Sequence, residues 1–184
     1  MSGDQAATLV TAARAGSDLA FTGLLEMVLE PGYKLACGML HDPPTAEDAV
    51  QEAALKAWRK LDQLRDGQAL KPWFLSIVAN ECREVRRSRW WSLSASATRS
   101  GNDADPSTLH KTPDDSILAG MEVRRALRAL NHEKRLVIVL RWYLDMSIED
   151  ISAMTGSSVH AVEARLYRAM NELRRRLEGR DADR

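Results

Sequence analysis

Hydrophobic residues recur at helical spacing along most of this chain, and the strict alternation that marks strands is nearly absent. Residues 18–40 carry apolar side chains three and four positions apart, and Pro31 and Gly32 predict an interruption of that helix. The pattern predicts an all-α fold.

A second helical pattern follows the polar break at residues 41–44. Thr45 is the predicted N-cap, and Asp48 stands at the third helical position, as in a capping box. Pro72 suits the first turn of the next helix. The apolar stripes predicted for these two helices are Val50, Ala54, Trp58 and Leu61, and then Phe74, Ile77, Val78, Cys82 and Val85.

The composition changes after Arg87. Residues 88–115 are rich in serine and threonine, contain two prolines and offer little that could form a core, which predicts a linker that is extended or disordered when free. The Trp90–Trp91 pair at its start is expected to pack back on the preceding helices. We therefore predict two small helical modules, residues 1–91 and 116–184, joined by a flexible linker at 92–115.

The stretch SIEDISAMTGSSVHAVEARLYRAM predicts two helices with a tight corner between them. Ser147 can cap the first helix, with Asp150 at its third position, and Gly156 stands where a helix end needs a positive φ. Ser157 or Ser158 can cap the second helix. The buried stripe of that helix leaves six residues facing outwards: His160, Ala161, Glu163, Ala164, Arg165 and Arg168.

This spacing is typical of a helix-turn-helix, whose second helix enters the major groove. Ser157, Ser158 and the free N–H groups of the helix start can meet a phosphate, and Arg165 and Arg168 can reach phosphates or guanine edges. Glu163 would accept a hydrogen bond from a cytosine amino group. The alternative is a packed helical hairpin with a solvated charged face.

Charge is segregated along the chain although the whole is formally neutral. Residues 1–52 hold two basic residues against eight acidic ones, a net charge of −6, whereas residues 53–90 hold nine against four, a net charge of +5. Overall neutrality argues against a protein that coats nucleic acid but allows a local basic face.

Enzymatic and metal chemistry find no support in the sequence. The four histidines are scattered, no catalytic or metal-binding motif is present, and we expect no cofactor. Cys37 and Cys82 fall on apolar stripes, where core packing is a better interpretation than a redox role. With no membrane-length apolar run and no signal pattern, we expect a cytoplasmic protein that does not insert into membranes.

Two long stretches resemble the extracytoplasmic-function (ECF) family of RNA polymerase sigma factors. AEDAVQEAALKAWRKLDQL followed by LKPWFLSIVANECREVRR resembles region 2 of that family, and residues 130–170 resemble its promoter-binding region 4. ARAGSDLAFTGLL, residues 13–25, is similar to the family's opening helix pair. The resemblance covers nearly the whole chain in the right order, with a linker where the family has one.

The resemblance implies a factor without catalysis of its own that recruits core RNA polymerase and melts promoter DNA. In the family, the helix equivalent to residues 46–61 docks on the clamp coiled coil of the polymerase, and region 4 contacts the flap. By resemblance, the residues facing the clamp are Asp48, Gln51, Glu52, Lys56 and Arg59. Acids at a helix start also complement the helix dipole, which is the simpler interpretation of Glu47 and Asp48.

The loop at residues 62–69 and the helix after it correspond to the family's reader of the −10 promoter element. A pocket beside a basic helix suits a flipped base and its single-stranded backbone. The candidate donors are Lys71, Asn80, Arg83, Arg86 and Arg87, while Trp73 and Phe74 are expected to pack in the core. The −35 element would be read by Ser157, Ser158 and the six outward residues of the last helix.

Further partners follow from the resemblance alone. An anti-sigma factor is expected, as for many members, and the linker is expected to thread into basic polymerase channels with its four acids, Asp103, Asp105, Asp114 and Asp115. His160 and Glu163 depart from the residues usual in the family, so we expect this protein's own promoter preference to lie there. The alternative function is a stand-alone helix-turn-helix regulator with a helical sensor or dimerisation domain.

Overall fold

The structure, a computed structural model, describes residues 3–64, 70–97 and 121–181. Among them no strand occurs, which confirms the all-α prediction. The helices are α1 (Gly3–Arg14), α2 (Asp18–Leu40), α3 (Pro43–Arg59), a 3₁₀ turn (Leu61–Gln63), α4 (Leu70–Ala97), α5 (Met121–Ala129), α6 (His132–Ile138), a π-helical turn (Val139–Tyr143), α7 (Ile148–Thr155) and α8 (Val159–Asp181).

Helices α1 to α4 form the N-terminal module, in which α2 packs against the other three. Its core includes Leu24 and Leu35 of α2 and Phe74 of α4, all almost fully buried. Gly32 sits at the crossing of α2 and α4, and a Cβ there would lie 2.7 Å from Cε1 of Phe74. The missing side chain therefore lets the two helices approach closely.

The interruption predicted at Pro31 is wrong, because α2 runs unbroken through it. A proline inside a helix removes one hydrogen bond and costs about 3 kcal/mol. Burial of α2 residues on both sides of Pro31, such as Val28 and Leu35, offsets that cost.

The predicted start of α3 is also wrong. The helix begins at Pro43, with Asp42 as its N-cap, three residues earlier than the capping box suggested. The two prolines that looked like a break occupy the first helical positions, where the missing N–H costs nothing. Thr45 instead donates its hydroxyl proton to the carboxylate of Asp42.

The buried side of α3 differs from the predicted stripe as well. Small residues dominate it, and Trp58 is 39% exposed. The stripe consists of Ala46, Ala49, Val50, Ala53 and Ala57. Alanine carries little apolar area, so its side of a helix is easily overlooked beside a tryptophan.

The apolar stripe predicted for α4 is confirmed: Phe74, Ile77, Val78 and Cys82 are buried and Val85 is half-buried. Trp73 packs partly against this core, as expected. The helix continues to Ala97, so residues 88–97 are helical rather than extended. The side chains of Trp90 and Trp91, the rest of the linker and its four acids lie outside the described residues.

Helices α5 to α8 form the C-terminal module. Asn131 caps α6 by accepting a hydrogen bond from the backbone N–H of Lys134 at 2.9 Å. The predicted cap Ser147 is confirmed, because it accepts one from Asp150 at 3.0 Å. Gly156 has a φ of 64°, the left-handed conformation that ends α7.

The two modules pack directly against each other. A Cβ on Gly38 of α2 would lie 2.8 Å from Cγ1 of Val139 in the π-helical turn. Arg135 of α6 is 3% exposed and donates to the carbonyl of Met39 at 2.6 Å. Helices α4 and α7 are also in contact. The two halves therefore share one continuous core.

Candidate nucleic-acid and polymerase interfaces

The corner between α7 and α8 has the geometry of a helix-turn-helix. The hydroxyl of Ser158 accepts a hydrogen bond from the N–H of Ala161 at 3.2 Å, so Ser158 is the cap of α8. Ser152 of α7 donates to the carbonyl of Ser157 at 2.6 Å across the corner. Val162 and Leu166 bury the inner side of α8. These bonds fix the angle at which α8 leaves the corner.

The outer side of α8 is open to solvent at four of the six predicted positions: His160, Glu163, Ala164 and Arg168. His160 is fully exposed, and its Nδ1 lies 3.2 Å from Oε2 of Glu163 one turn later. The two residues that depart from the family pattern are therefore neighbours on one exposed patch. Together they present a carboxylate and an imidazole to solvent.

The remaining two positions, Ala161 and Arg165, are half-buried. The guanidinium of Arg165 turns back across the module, and its Nη1 lies 3.6 Å from Oε2 of Glu133 at the start of α6. Arg165 is therefore engaged within the protein, unlike Arg168, whose Nε donates only to the carbonyl of Ala164 on its own helix.

Four of the five predicted −10 residues, Lys71, Asn80, Arg83 and Arg87, are exposed along α4, and Arg86 is half-buried. Their surroundings differ. Arg87 pairs with Glu84 one turn earlier, whereas Arg83 pairs with Glu133 of the C-terminal module. Arg86 has a buried Nη1 with no hydrogen-bond partner among the described residues. The basic side of α4 is thus partly covered by α6.

A cavity of about 160 Å³ lies at this junction. Asn80 and Arg83 line it from α4, and His132, Glu133 and Thr155 line it from α6 and α7. Both walls carry polar groups, so the junction is a polar cleft between modules and not a closed apolar seam.

Most of the residues assigned by resemblance to the polymerase-binding side of α3 lie on the protein surface. Asp48, Gln51, Glu52 and Arg59 are exposed. Lys56 differs, because its Nζ lies 2.6 Å from Oε2 of Glu81, a carboxylate that is 7% exposed. Lys56 therefore neutralises a buried acid inside the module and is not free for a partner.

The sequence analysis missed an apolar residue on that same side of α3. Leu55 is 52% exposed, one turn after Gln51 and Glu52 and one turn before Arg59. Trp58 beside it is anchored by an edge-to-face contact with Phe21, their ring centroids 4.7 Å apart. Leu55 was missed because polar residues surround it on its side of the helix, so it does not belong to an apolar stripe.

A basic cluster at the end of α2 was also missed. His41 is surrounded by Arg86, Arg124, Arg128 and Arg135, and burial followed by these charges lowers the pKa of His41 to about 3. Burial is also the main reason that the pKa of Arg135 is lowered, to about 9, so it stays charged at neutral pH.

Arg135 remains a buried cation because helix ends surround it. Besides Met39, it donates to Leu127 at 2.9 Å, to Leu130 at 3.2 Å and to Arg128. The last carbonyls of a helix lack partners and carry partial negative charge, which a cation complements. The arginine thus joins the ends of α2 and α5.

Cys82 packs in the N-terminal core, as predicted, and burial raises the pKa of its thiol to about 12. Cys37 is half-buried beside the same core. Across the described ranges no cluster of histidine, cysteine and acidic residues suits a metal ion. No helix among them is long and apolar enough to span a membrane.

Comparison with known sequences matches both modules to families. Sigma-70 region 2 matches residues 24–92, and Sigma-70, region 4, matches residues 120–173. The chain is 31% identical to RNA polymerase sigma-E factor of Streptomyces avermitilis over 79% of this chain and 78% of that protein. It is 28% identical to RNA polymerase sigma factor SigV of Bacillus subtilis over 81% of this chain and 86% of that protein.

Solved structures show the same fold. The sigma factor RpoE of Bartonella quintana, in complex with the anti-sigma factor NepR, superposes with a TM-score of 0.65 at 27% identity, covering 86% of this chain and 96% of that one. CnrH, in complex with the cytosolic domain of CnrY, gives a TM-score of 0.67 at 24% identity over 97% and 99% of the two chains.

Proposed function

This chain belongs to the extracytoplasmic-function family of RNA polymerase sigma factors, and on that premise we propose how its two modules divide promoter recognition. The N-terminal module holds core RNA polymerase through α3 and reads the melted −10 element through α4. The C-terminal module reads the −35 element in duplex DNA through α8. The factor itself performs no catalysis.

One observation carries this proposal: the N-terminal module presents an acidic side on α3 and a basic side on α4, separate from the helix-turn-helix. A stand-alone regulator needs only the C-terminal module to bind its operator. The family matches span both modules, which favours the sigma factor over that alternative.

The exposed side of α3 supplies the groups for a protein partner. Asp48, Gln51 and Glu52 give a polar, acidic rim, and the exposed Leu55 gives it an apolar centre. Interfaces derive most of their free energy from a few central apolar or aromatic side chains within a polar rim. We therefore add Leu55 to the set that contacts the polymerase clamp and remove Lys56 from it.

The N-terminus of α8 and its exposed side chains supply the groups for contact with DNA. The Ser158 cap places the helix start where a phosphate can meet free N–H groups, and Arg168 lies on the exposed side for a further phosphate. Glu163 and His160 meet the bases, and a carboxylate there accepts from cytosine.

An anti-sigma factor is a further proposed partner. The structure of RpoE to which this chain is similar is of a complex with the anti-sigma factor NepR. The same α3 side that would bind polymerase is a suitable target for such an inhibitor, because its occupation would prevent recruitment.

The test is capture of core RNA polymerase by the full-length protein, followed by run-off transcription on genomic fragments. Stable capture and discrete start sites are expected. Tight binding to a duplex without polymerase, together with no capture, would instead support a stand-alone regulator.

A double substitution tests whether α3 makes the contact with core RNA polymerase. Asp48→Ala with Gln51→Ala should weaken polymerase binding about tenfold, since it removes two polar contacts of the rim. The control is Glu26→Ala, an exposed acid on α2 and not on α3. Equal binding by the wild type and the double variant, with the helical circular dichroism signal intact, removes α3 from the interface.

A further inference from the structure

The cavity between the modules is lined by hydrogen-bonding groups from both of them. Asn80 and Arg83 line it from the N-terminal module, and His132 lines it from the C-terminal module. Its volume of about 160 Å³ is several times what one water molecule needs. It is also well below the roughly 300 Å³ of the smallest pockets that hold drug-sized molecules. A ligand of this cavity would therefore be a small polar ion or molecule.

His132 is the clearest indication that the cavity suits a polar ligand. Both of its ring nitrogens are buried, and neither has a hydrogen-bond partner among the described residues. Buried polar groups in proteins nearly always have a partner, which is another residue, water or a ligand. A neutral imidazole has one N–H donor and one acceptor nitrogen, so a ligand that both accepts and donates matches it best.

The two hydroxyl groups of the cavity act as acceptors towards a ligand. Ser76 donates its proton to a backbone carbonyl of α4 at 2.6 Å, and Thr155 donates its proton to one of α7 at 2.7 Å. Each oxygen keeps lone pairs but has no second proton to donate. Asn80 and Arg83 supply N–H donors. The cavity thus combines donors and acceptors.

The charges around the cavity favour an anion. Burial, followed by the charge of Arg83, brings the pKa of His132 down to about 4, so the ring is neutral at pH 7. Arg86 and Arg135 act on the ring in the same direction, and Glu133 opposes them. Three guanidinium groups therefore face one carboxylate. Arg83 pairs with that carboxylate, but its side chain is 51% exposed and has further N–H groups for a ligand.

We propose that this cavity binds hydrogenphosphate, the form of inorganic phosphate that accepts hydrogen bonds and also carries a proton to donate. Its oxygens accept from Asn80, Arg83 and the N–H of His132. Its hydroxyl donates to the oxygens of Ser76 and Thr155 or to the acceptor nitrogen of the ring. Because the ion contacts both modules, its binding stabilises the folded protein.

The backbone of a DNA strand is a second source of phosphate for the same groups, since Asn80 and Arg83 belong to the set that we assign to the −10 element. A phosphodiester, however, has no proton to donate and continues into a sugar on both sides. The cavity is small and is bounded by α6 and α7 opposite α4. Free hydrogenphosphate fits it better than a strand does.

The test measures thermal unfolding of the full-length protein at pH 7.5 in sodium phosphate, sodium sulfate or sodium chloride of equal ionic strength. Equal ionic strength is needed because salt screens exposed ion pairs. Sulfate has nearly the shape of phosphate but no proton at this pH, and it controls for the general stabilisation that both ions give by exclusion from the protein surface. Isothermal titration calorimetry with sodium phosphate gives the dissociation constant.

At a phosphate concentration of about ten times the dissociation constant, the midpoint of unfolding should rise by about 3–6 °C relative to chloride. The rise in sulfate should be no more than about 1 °C, because sulfate cannot donate to the acceptors of the cavity. A rise in phosphate no larger than that in sulfate overturns the inference.

Two substitutions test where the anion binds. Asn80→Asp puts a carboxylate of the same size into the cavity and should weaken phosphate binding about tenfold, and His132→Leu should do the same by removing both ring nitrogens. The matched controls are Gln63→Glu on the exposed 3₁₀ turn and His160→Leu on the exposed side of α8, each expected to change the dissociation constant by less than about twofold. Equal binding by a cavity variant and its control contradicts this site.

A fluorescein-labelled 20-nucleotide single strand, titrated by anisotropy, distinguishes the second source. Its affinity should be the same for the wild type and His132→Leu, since His132 is not in the set assigned to the −10 element. A loss of strand binding as large as the loss of phosphate binding would assign the cavity to the DNA backbone and overturn the inference. Capture of core RNA polymerase tests the proposed function separately and depends on neither titration.

Discussion

The two helices that we assign to DNA differ in the partners of their arginines. In α8, Arg165 reaches Glu133 of its own module, and the pair formed by His160 and Glu163 faces solvent. In α4 four of the five predicted residues are exposed as well, but Arg83 pairs with Glu133 of the other module and Arg86 is half-buried. The difference shows that a contact between the modules cannot be predicted from the sequence of one helix.

Among the contacts between the modules, Arg135 is a buried cation that joins α2 to the C-terminal module, and the largest effect is expected there. Arg135→Met removes four hydrogen bonds to helix-end carbonyls and leaves those groups buried, which should lower the free energy of unfolding by about 3 kcal/mol. Urea unfolding followed by circular dichroism measures this, with Arg125→Met, an exposed arginine of α5, as the control. Equal midpoints for the two variants would contradict a structural role for Arg135.

A substitution of Glu163 tests whether the exposed side of α8 reads the −35 element. Since Glu163 is exposed on α8, Glu163→Lys should exchange the preferred base at one −35 position, with a discrimination of about 1–2 kcal/mol. Transcription from a set of single-base −35 variants measures the exchange. Glu178→Lys makes the same charge change at the far end of α8 and should leave the preference as it is. If no −35 variant responds to Glu163→Lys, the residue is not in the groove.

Acid should weaken the contact between α4 and the C-terminal module. Burial, and then the charge of Arg83, lower the pKa of His132 to about 4, while Glu133 opposes this and Arg86 and Arg135 add to it. A histidine freed by opening returns to about 6.5. The open state therefore binds more protons, so the contact is fully present above pH 6.5 and is lost as the pH falls towards 4.

At pH 5 we expect about 1 kcal/mol in favour of opening, allowing for the water that reaches the ring. The radius of gyration at pH 7.5, 6 and 5 should rise as the pH falls, and His132→Gln should reduce that dependence. A pH response of the same size in His132→Gln would assign it to other groups, among them His41.

The smallest effect separates two arginines of α4. In the free protein Arg87→Gln should weaken single-strand binding about twofold, because it removes an exposed phosphate contact. Arg83→Gln should change it less, because Arg83 is less exposed than Arg87 and its acidic partner lies on the other module, whereas that of Arg87 lies on α4 itself. In the holoenzyme the two variants should weaken promoter binding equally. A larger effect of Arg83→Gln in the free protein would mean that α4 is not covered in solution.

The sequence was a good guide wherever one residue decides a local conformation. Asn131 and Ser147 cap their helices, and Gly156 ends α7 with a positive φ, all as the residue types predict. The family resemblance was equally reliable, because long stretches in both modules carried it.

Sequence reasoning failed where distant parts of the chain meet. Pro31 predicted a break that packing overrides, and Lys56 looked like a surface cation although it pairs with Glu81, 25 residues away. Arg135 resembled any other arginine of a polar helix, since its carbonyl partners come from the ends of α2 and α5. The spacing of residues within α6 therefore gives no indication of those contacts.

Cys82 gives the molecule a chemical reporter of its own. Burial and a pKa of about 12 protect its thiol from alkylation as long as the N-terminal core is intact. Melting of the N-terminal module exposes the sulfur, because Cys82 is fully buried in the folded protein. The rate at which a Cys37→Ser protein reacts with a maleimide therefore measures unfolding of the N-terminal module. A larger radius of gyration without faster labelling indicates that the modules have separated while the N-terminal module stays folded.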